Sequence, residues 1–587
     1  MITTINRSSS ERFSILEFIA CVIRGRWFMV SASFFIMAGV GGTYVFGTYS
    51  KAIKSSQGYD QSTLNLLGFY KDLGSNIGLP AGLIAEVTPP WFVLLLGSAM
   101  NFVGYFMIWL VVTHRISKAK VWQMCLYIFI GASSQTYANT GVLVTCVKNF
   151  PESRGIILGL LKGYIGLSGA ILTHFYLAIY GNDSESLILL VAWFPAAISV
   201  VFAFAIRVMK NDSQPNELKI FYQIFYASLA LALFLMAIII AQQQIDFSKA
   251  AFGGSVTVVC ILLFIPMLIA IRNEFSLWNI RKKHGNTTSE VIIEKPQTFE
   301  SKQTPPHLNF SGEEKVEGPT KISCFASILN KPERGEDYSI LQALLSTDMF
   351  LLSISSFTGF GASLTAIDNL GQIGESLGYP ANTVRSFVSL ISIWNYFGRV
   401  FAGFVSEIML QKYKFPRTMM LTLSLFLSCT GHLLIAFPVP GSIYVASVII
   451  GFSYGALLLL FTAIISELFG LKYFATLSNS VGLVTPLGSY IFNVKVTGFL
   501  YDREAKKQLK KHDREFVKGM ELTCIGTECY KLPFIIMASV TLFGALVSLI
   551  LVMRTRKFYK CDIYNKKFIE DAHAVETELS TSSVHEH

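Results

Sequence analysis

The chain has 587 residues, of which 52% are hydrophobic and 15% are charged, with a formal net charge of +10 and a mean hydropathy of +0.50. A soluble globular protein carries about 25% charged residues, so this composition excludes an ordinary soluble enzyme, a disordered chain and a nucleic-acid-binding protein. The basic residues lie between long apolar runs, which is typical of the positively charged loops of a membrane protein.

The N-terminal segment, residues 1–26, contains four arginines and an apolar stretch from Phe13 to Ile23. Glu17 interrupts this stretch, arginines follow it, and no small-residue cleavage site is present, so it does not fit a signal peptide. We expect a cytosolic segment with an interfacial amphipathic helix that leads into the first span. An organelle-targeting segment is the alternative, because serine and arginine dominate its beginning.

The apolar runs predict fourteen spanning helices, with twelve as the alternative count. A hydrocarbon core about 30 Å thick needs about 20 apolar residues per helix. Glycine and proline interrupt several spans, which membrane helices tolerate because neighbouring helices satisfy the freed backbone groups. The predicted spans lie at about 27–49, 65–87, 91–113, 121–146, 155–180, 187–208, 220–241, 250–271, 346–368, 384–407, 418–437, 442–466, 475–500 and 533–553.

These spans predict an all-α polytopic membrane protein with two six-helix bundles, at 27–210 and 346–553, and two extra spanning helices at 211–272 between them. Residues 273–345 are rich in Pro, Glu, Lys, Ser and Thr and cannot bury enough apolar surface to fold alone. We therefore expect a disordered cytosolic linker there, and a cytosolic tail at 554–587.

The distribution of lysine and arginine near the span ends predicts that the N-terminus is cytosolic. One segment argues against this orientation. Residues 501–532 carry eight bases and would lie outside, although six acids nearly balance them.

The two predicted bundles share a short repeat. Residues 82–86 end the second span of the first bundle, and residues 403–407 end the second span of the other. Each run is a glycine, two apolar residues, a small residue and a carboxylate, and the carboxylates are Glu86 and Glu407. Parallel six-helix repeats with a substrate site at their interface are one transporter design; small-residue helix packing that recurs by chance is the alternative. We interpret both glutamates as gating or structural charges.

Arg399 lies about fifteen residues into a predicted span, in an aromatic and glycine-rich stretch beside Asn395 and Tyr396. Ionisable residues at such depth are costly and indicate a functional site by default. Because arginine presents a rigid fork that suits a carboxylate or phosphate, we predict an anion-binding group that faces a water-filled cavity. The alternative is a structural ion pair with Glu407 or Asp368.

Other polar residues inside the spans are further candidates. Lys495, about twenty residues into its span, is either a second substrate-binding cation or a side chain that snorkels to the interface. Asn139, in the middle of span 4, either lines the pathway or joins helices. We interpret the adjacent charges of Lys71 and Asp72 as gating or structural, and likewise Arg154 in the tight inner loop before span 5.

No catalytic motif is visible in the sequence. It contains no GxSxG, HExxH or P-loop motif and no glycine-rich dinucleotide fingerprint after a strand. We expect neither enzymatic activity nor a metal or other cofactor. Without a nucleotide site, any transport must run down a gradient or be coupled to an ion.

Several motifs along the chain resemble one known family. They are Gly41 to Ser50, Gly58 to Gln61, Lys71 to Gly74, Pro89 to Trp91, Arg334 to Tyr338, Ile367 to Gln372 and Gly498 to Asp502. Over about residues 25–555 the chain resembles the plant nodulin-like proteins called nuclear fusion defective 4-like, within the major facilitator superfamily. The resemblance implies the major facilitator fold, but the family name records a defect in nuclear fusion and no substrate.

A more distant resemblance bears on the substrate. The segment from Asn395 to Arg399 resembles the arginine-bearing eighth helix of monocarboxylate and oxalate/formate transporters, where the arginine binds carboxylate. Lys495 lies in the counterpart of their eleventh helix, which carries a substrate lysine in oxalate transporters. The acidic first-helix motif of monocarboxylate transporters is absent, because span 1 has no charged residue.

We therefore predict a secondary transporter of a small organic anion, a carboxylate, that works by alternating access, with Arg399 and Lys495 in one cavity between the bundles. The alternative is a non-transporting receptor or scaffold that retains the fold. The expected partners are a small-molecule substrate, a co-transported proton as a candidate, and the lipid bilayer, without nucleic acid. We expect a monomeric, multi-pass integral membrane protein, in either the plasma membrane or an internal membrane.

Cys524 and Cys529 are the two cysteines that lie close together in the sequence. Four intervening residues with a glycine can form a turn that brings the Cα atoms within the roughly 4.4–6.8 Å that a disulfide requires. Disulfides persist in oxidising compartments, so an outward-facing loop predicts a bridge. Two free thiols in a cytosolic loop are the alternative.

Overall fold

The computed structural model describes residues 17–288 except 60, 182, 210–215 and 246, and also residues 332–511 and 524–560. A short helix at 17–24 precedes the first bundle. The helices of the first bundle are α1 (Arg26–Gly39), α2 (Phe46–Gln57), α3 (Gln61–Asn76), α4 (Leu79–Val87), α5 (Pro90–Val112), α6 (Val121–Asn149), α7 (Arg154–Ile179) and α8 (Ser184–Phe202).

Two long helices follow the first bundle, α9 (Glu217–Gln244) and α10 (Lys249–Thr288). The second bundle comprises α11 (Ile340–Leu344), α12 (Thr347–Ser376), α13 (Ala381–Tyr413), α14 (Arg417–Ala436), α15 (Ser442–Leu468), α16 (Phe474–Gly482), α17 (Val484–Ser489), a π-helical segment (Tyr490–Gly498), α18 (Phe499–Lys511) and α19 (Glu528–Lys560). The described residues therefore form an all-α chain, which confirms the predicted fold class.

Glycines bend the first span where it packs most closely on its neighbours. A 3₁₀ turn, Gly41–Val45, joins α1 to α2. A Cβ atom on Gly41 would lie 1.9 Å from the Ser168 hydroxyl oxygen of α7, and one on Gly42 would lie 2.6 Å from a methyl group of Val191 in α8. Only a residue without a side chain lets the backbone pass here, and the bend brings Tyr44 to the bundle interface.

Ten of the described helices are long and apolar enough to cross a membrane. Four more helical segments of membrane-spanning length are too polar or too broken to meet that test: the α3–α4 pair, α6, α13 and the run from α16 to α18. Because charged side chains inside a membrane almost always face the protein interior or a water-filled cavity, these four segments are expected to line the interface between the bundles.

Two faces of the molecule are used as reference below. The N-terminal face is the side on which α1 begins and α19 ends, and it also carries the starts of α7 and α14. The far face is the opposite side, with the loops after α2, α5 and α12. Because the spans alternate in direction, both described ends of the chain lie on one side.

The extra helices α9 and α10 pack against α1 and α7 of the first bundle, and α9 also packs against α13 of the second. The carboxylate of Glu217 lies 3.3 Å from the guanidinium of Arg26, and Ser31 donates to the Pro266 carbonyl at 2.9 Å. On the other side, Tyr396 of α13 donates to Ser228 of α9 at 2.8 Å. Helix α9 therefore touches both bundles along one side of their interface.

The predicted linker at 273–345 is too wide at both ends. Helix α10 continues to Thr288, because the rings of Phe275 and Trp278 pack against Phe18, with centroids 5.7 and 6.1 Å apart. At the other end, Tyr338 packs edge-on against Phe469 at 5.3 Å. The part of the predicted linker at 289–331 lies outside the described residues, as does the tail after Lys560.

The loop at the far face is tied to α18. Cys524 and Cys529 form a disulfide with Cα atoms 5.9 Å apart. Gln508 of α18 donates to the Ile525 carbonyl at 2.8 Å and accepts from the Ile525 amide at 3.0 Å, while the Cys524 amide donates to Tyr501 at 3.1 Å. The bridge closes a turn that these bonds then hold against the helix.

In sealed right-side-out vesicles, we expect a membrane-impermeant maleimide to label neither Cys524 nor Cys529 until a reductant is added. Both sulfurs are in the disulfide before reduction, and both lie outside the membrane. In the matched variant Cys524→Ser, Cys529 should react without reductant. Labelling of both cysteines in the unreduced wild-type protein would contradict the bridge, and labelling only after permeabilisation would contradict the predicted orientation.

Candidate functional site

A buried ion cluster closes the second bundle at the N-terminal face. Arg417, the first residue of α14, donates from Nε to Glu467 at 2.6 Å, from Nη2 to Glu407 at 2.6 Å and from Nη1 to Ser406 at 2.6 Å. Tyr559 of α19 donates to the other oxygen of Glu467 at 3.0 Å. The three charged side chains are at most 1% exposed, so each depends on the others for its counter-charge.

The same cluster reaches across to the first bundle. The Glu407 oxygen that accepts from Arg417 also accepts from the backbone amide of Gly155, at 2.8 Å. This amide lies in the first turn of α7, where helix amides lack partners within the helix and favour negative charge. Next to it, Arg154 donates to the Ser466 carbonyl of α15 at 2.9 Å. Glu407 and Arg154, both predicted as gating or structural charges, thus lie in one seal between the bundles.

A related contact joins the second span of the first bundle to the fifth span of the second bundle, whereas the Glu407 contact joins the second span of the second bundle to the fifth span of the first. Glu86, at the end of α4, accepts from the Thr476 hydroxyl of α16 at 3.4 Å. A Cβ on Gly82 would lie 2.7 Å from the Cα of Thr476. Nearby, Asn479 of α16 donates to Thr140 of α6 at 2.7 Å. The repeated glycine and glutamate therefore occupy equivalent inter-bundle positions, which favours a true repeat over chance.

Helices α7 and α13 are in close contact on the far-face side of this seal. A Cβ on Gly403 would lie 2.6 Å from the Gly155 carbonyl oxygen and 3.0 Å from the Cα of Gly159. The cross-bundle hydrogen bonds named so far all lie nearer the N-terminal face. Toward the far face, the cross-bundle ring contact is the one between Phe69 and Tyr490, at 5.9 Å. We infer a space between the bundles that is sealed at the N-terminal face.

Arg399 lies on α13, at the edge of the seal that is nearer the far face, and is 3% exposed. Its Nε donates to Asn395 one turn earlier, at 2.9 Å, and its Nη1 donates to the backbone carbonyl of Lys162 in α7, at 2.6 Å. Lys162 in turn donates to the Leu458 carbonyl at 2.9 Å and closely to the Thr462 hydroxyl, both on α15. All of these acceptors are neutral, so neither cation has an ion pair among the described residues.

This arrangement does not fit the alternative that Arg399 forms a structural ion pair. Glu407 is taken by Arg417, and Asp368 accepts from Asn493 at 3.1 Å. Asn395, predicted beside Arg399, orients its guanidinium from the same helix.

A second charged group lies further toward the far face. Lys71 of α3 is 2.8 Å from Asp72 and lies over the Phe46 ring at 5.1 Å. It also interacts electrostatically with Asp368 of α12 and with Tyr44. Asp72 has a half-exposed side chain, and Asp368 is exposed although it lies within α12. Exposed carboxylates at this depth indicate that water reaches the interface from the far face.

Tyr454 of α15 lies within electrostatic range of Tyr44, Arg399, Asp368 and Asp72. The arginine and the carboxylates therefore lie around one tyrosine at the bundle interface.

The structure also describes the surroundings of three other predicted site residues. Tyr396 turns away toward Ser228 of α9. Lys495 is exposed and lies over the Tyr490 ring at 5.5 Å, with no hydrogen bond or ion pair to Arg399. Asn139 is half-buried in α6, and its side-chain oxygen has no hydrogen-bond partner in the structure.

Lys162, Tyr454, Arg417 and Glu467 are among the residues of the site and the seal that the sequence analysis did not single out, and it named Asp368 only as an alternative ion-pair partner of Arg399. Arg417 follows a basic loop and a proline, so composition favours an interface base over a buried one. The charge of Lys162 in a glycine-rich helix was the one available signal for its position. In the part of the chain that the structure describes, no group of three or more His, Cys, Asp or Glu side chains could hold a metal ion.

Comparisons with known proteins agree with this architecture. The Nodulin-like family model matches residues 26–271, and the model of the NFD4 C-terminal domain matches residues 337–561. Protein NUCLEAR FUSION DEFECTIVE 4 of Arabidopsis thaliana is 25% identical over 557 residues, which cover 91% of this chain and 89% of that protein. An uncharacterized membrane protein of Saccharomyces cerevisiae is 22% identical, over 85% of this chain and 90% of its own.

A solved structure shares the fold. The proton:xylose symporter XylE of the major facilitator superfamily, bound to 6-bromo-6-deoxy-D-glucose, matches with a TM-score of 0.50 at 12% identity. The match covers 89% of this chain and 94% of that chain. At this identity the likeness shows the fold and not the substrate.

The close approach of α7 and α13 makes Gly403 sensitive to a single methyl group. We expect Gly403→Ala to lower the melting temperature of the purified protein, because overpacking costs about 1–3 kcal/mol. The control is Gly253→Ala in α10, where an added Cβ has nothing within 4 Å and alanine favours the helix. Equal melting temperatures for the two variants would contradict the described contact.

Proposed function

The chain belongs to the nodulin-like family and has the fold of the major facilitator superfamily, and from this premise we propose that it is a secondary transporter of small organic anions that works by alternating access. The substrate binds between the two bundles. It is released when the bundles open at the face that was sealed and close at the opposite face. In the conformation described here the N-terminal face is sealed and the site opens toward the far face.

The observation that carries the proposal is Arg399, a buried guanidinium at the bundle interface whose hydrogen-bond acceptors are an amide oxygen and a carbonyl oxygen. A cation inside the membrane needs a counter-charge, and the described residues supply no ion pair to it. A carboxylate that enters from the open side can supply the charge and two parallel hydrogen bonds. An anionic substrate therefore completes the site.

The contacts between the bundles support alternating access. They consist of side-chain and backbone hydrogen bonds and of glycine packing between two bundles that each have their own packed helices, so each bundle can move as a unit. The repeated contact at Glu86 and Glu407 lies at equivalent places in the two halves, as parallel repeats that rock about a central site require.

Asp368 is the group on which we place the co-transported proton. It is exposed to the space between the bundles and held by Asn493. The charged and titratable groups that face it are Lys71 and Asp72 of α3 and Tyr454 of α15. A carboxylate beside both a cation and a second carboxylate can exchange a proton as the bundles change their distance from one another.

The transport function is tested with the purified full-length chain in proteoliposomes and radiolabelled pyruvate, malate, glutamate and xylose. We expect the wild-type protein to accumulate carboxylates and not xylose. Arg399→Gln should lower carboxylate uptake at least about thirtyfold, because it removes one partner of a buried charge pair with the substrate.

The matched control for this substitution is Arg556→Gln, which changes an exposed arginine near the end of α19 and should leave uptake unchanged. Unchanged uptake by Arg399→Gln at equal protein recovery would contradict the assigned site. A wild-type protein that takes up none of these solutes would favour the receptor or scaffold alternative.

We expect an inward-directed proton gradient to stimulate carboxylate uptake by the wild-type protein and not by Asp368→Asn. The amide keeps the size and hydrogen-bonding capacity of the side chain but cannot bind the proton. Counterflow exchange of carboxylate should survive, and the control Asp502→Asn on exposed α18 should retain the stimulation. Gradient-stimulated uptake by Asp368→Asn would exclude this residue as the proton carrier.

A further inference from the structure

We propose that the transported anion is a short dicarboxylate that binds Arg399 with one carboxylate and Lys162 with the other, an inference that rests on the proposed transport function. This replaces Lys495, which the sequence favoured as the second cation, by a lysine of the opposite bundle.

Arg399 and Lys162 place two cations side by side. Arg399 donates to the backbone carbonyl of Lys162, and each cation donates only to neutral acceptors. Two neighbouring cations repel, and a buried charge without compensation is costly. A single carboxylate could compensate only one of them, whereas two carboxylates on one molecule compensate both.

Arg399 and Lys162 have more hydrogen-bond donors than the described residues use. A guanidinium has five N–H donors and an ammonium has three. Arg399 uses two of its donors on described residues, and Lys162 uses two. Three donors of the arginine and one of the lysine thus have no acceptor among the described residues. That set suits a carboxylate that is held bidentately and a second carboxylate that is held by a point charge.

The two cations are close together. Arg399 Nη1 lies 2.6 Å from the backbone oxygen of Lys162 itself, so the guanidinium and the ammonium are separated by no more than one extended lysine residue plus one hydrogen bond. A dicarboxylate with a short carbon chain matches this distance, and a long one does not.

The two cations also take part in the contact between the bundles, so a ligand on both can affect the conformational change. Arg399 belongs to the second bundle and Lys162 to the first, and each donates to the opposite bundle: Arg399 to the Lys162 carbonyl, and Lys162 to Leu458 and Thr462. A dicarboxylate that binds the remaining donors of both cations adds a bridge between the bundles beside these bonds. It therefore alters the contact that holds α7 against α13 and α15. A monocarboxylate on Arg399 alone would leave the bonds of the Lys162 ammonium unchanged.

The test compares uptake of radiolabelled malate and pyruvate by the full-length chain in proteoliposomes. We expect the wild-type protein to prefer malate, and Lys162→Gln to lower the malate-to-pyruvate uptake ratio at least about tenfold. Lys162→Arg, which keeps the charge, should restore the preference for malate. The control Lys495→Gln removes an exposed lysine and should leave the malate-to-pyruvate ratio unchanged.

Several outcomes would overturn the inference. A wild-type preference for pyruvate would exclude two-cation recognition, and an equal loss of both substrates in Lys162→Gln would reduce the lysine to a structural contact. Loss of the malate preference in Lys495→Gln would indicate that Lys495 of the π-helical segment, and not Lys162, is the second cation. Transport of neither substrate by the wild-type protein is distinct from these results, because it contradicts the proposed transport function and removes the inference with it.

Discussion

The register of the two helices that carry the candidate site depends on one buried guanidinium, that of Arg417. It holds two carboxylates, Glu407 and Glu467, away from water, and Glu407 in turn fixes the first turn of α7 through the Gly155 amide. Removal of one member of a buried ion pair costs about 3–5 kcal/mol. This cluster therefore sets the register of α7 against α13.

That register determines the candidate site. Lys162 follows Gly155 by two helical turns on α7, and Arg399 precedes Glu407 by two turns on α13. The two helices run antiparallel and touch through glycines, so the fixed point at the N-terminal face brings the Lys162 carbonyl to the Arg399 guanidinium. A shift of one helix by a single turn would separate the two cations. The ion cluster thus acts on the anion site through helix geometry, without touching it.

The seal is asymmetric, although the repeat that forms it is symmetric. Glu407 shares an oxygen between a guanidinium and an amide at 2.6 and 2.8 Å, whereas its equivalent Glu86 accepts from a hydroxyl at 3.4 Å. Charge-assisted hydrogen bonds are roughly twice as strong as neutral ones. Release of the N-terminal face is therefore limited by the contact between α7 and α13, beside which the proposed substrate site lies.

Hydropathy and charge placement predicted an all-α polytopic chain because most spans are apolar over the roughly twenty residues that the bilayer requires, and the family resemblance implied how the spans assemble. Arg399 and Asn395 could be found because they lie one turn apart on one helix, where spacing alone places both side chains together. The partners of Arg417 could not, because Glu467 is fifty residues away and nothing local indicates which helices meet. The same limit explains the preference for Lys495 over Lys162, since depth in a span does not tell which side of a helix faces the other bundle.

The central claim is tested most directly by an electron cryo-microscopy structure of the full-length chain in nanodiscs with malate present at saturating concentration. The account predicts density for the anion between the Arg399 guanidinium and the Lys162 ammonium, absent from a matched sample without malate. Density bound instead between Lys71 and Asp368, or a malate-bound map in which Arg399 keeps only its bonds to Asn395 and the Lys162 carbonyl, would contradict it.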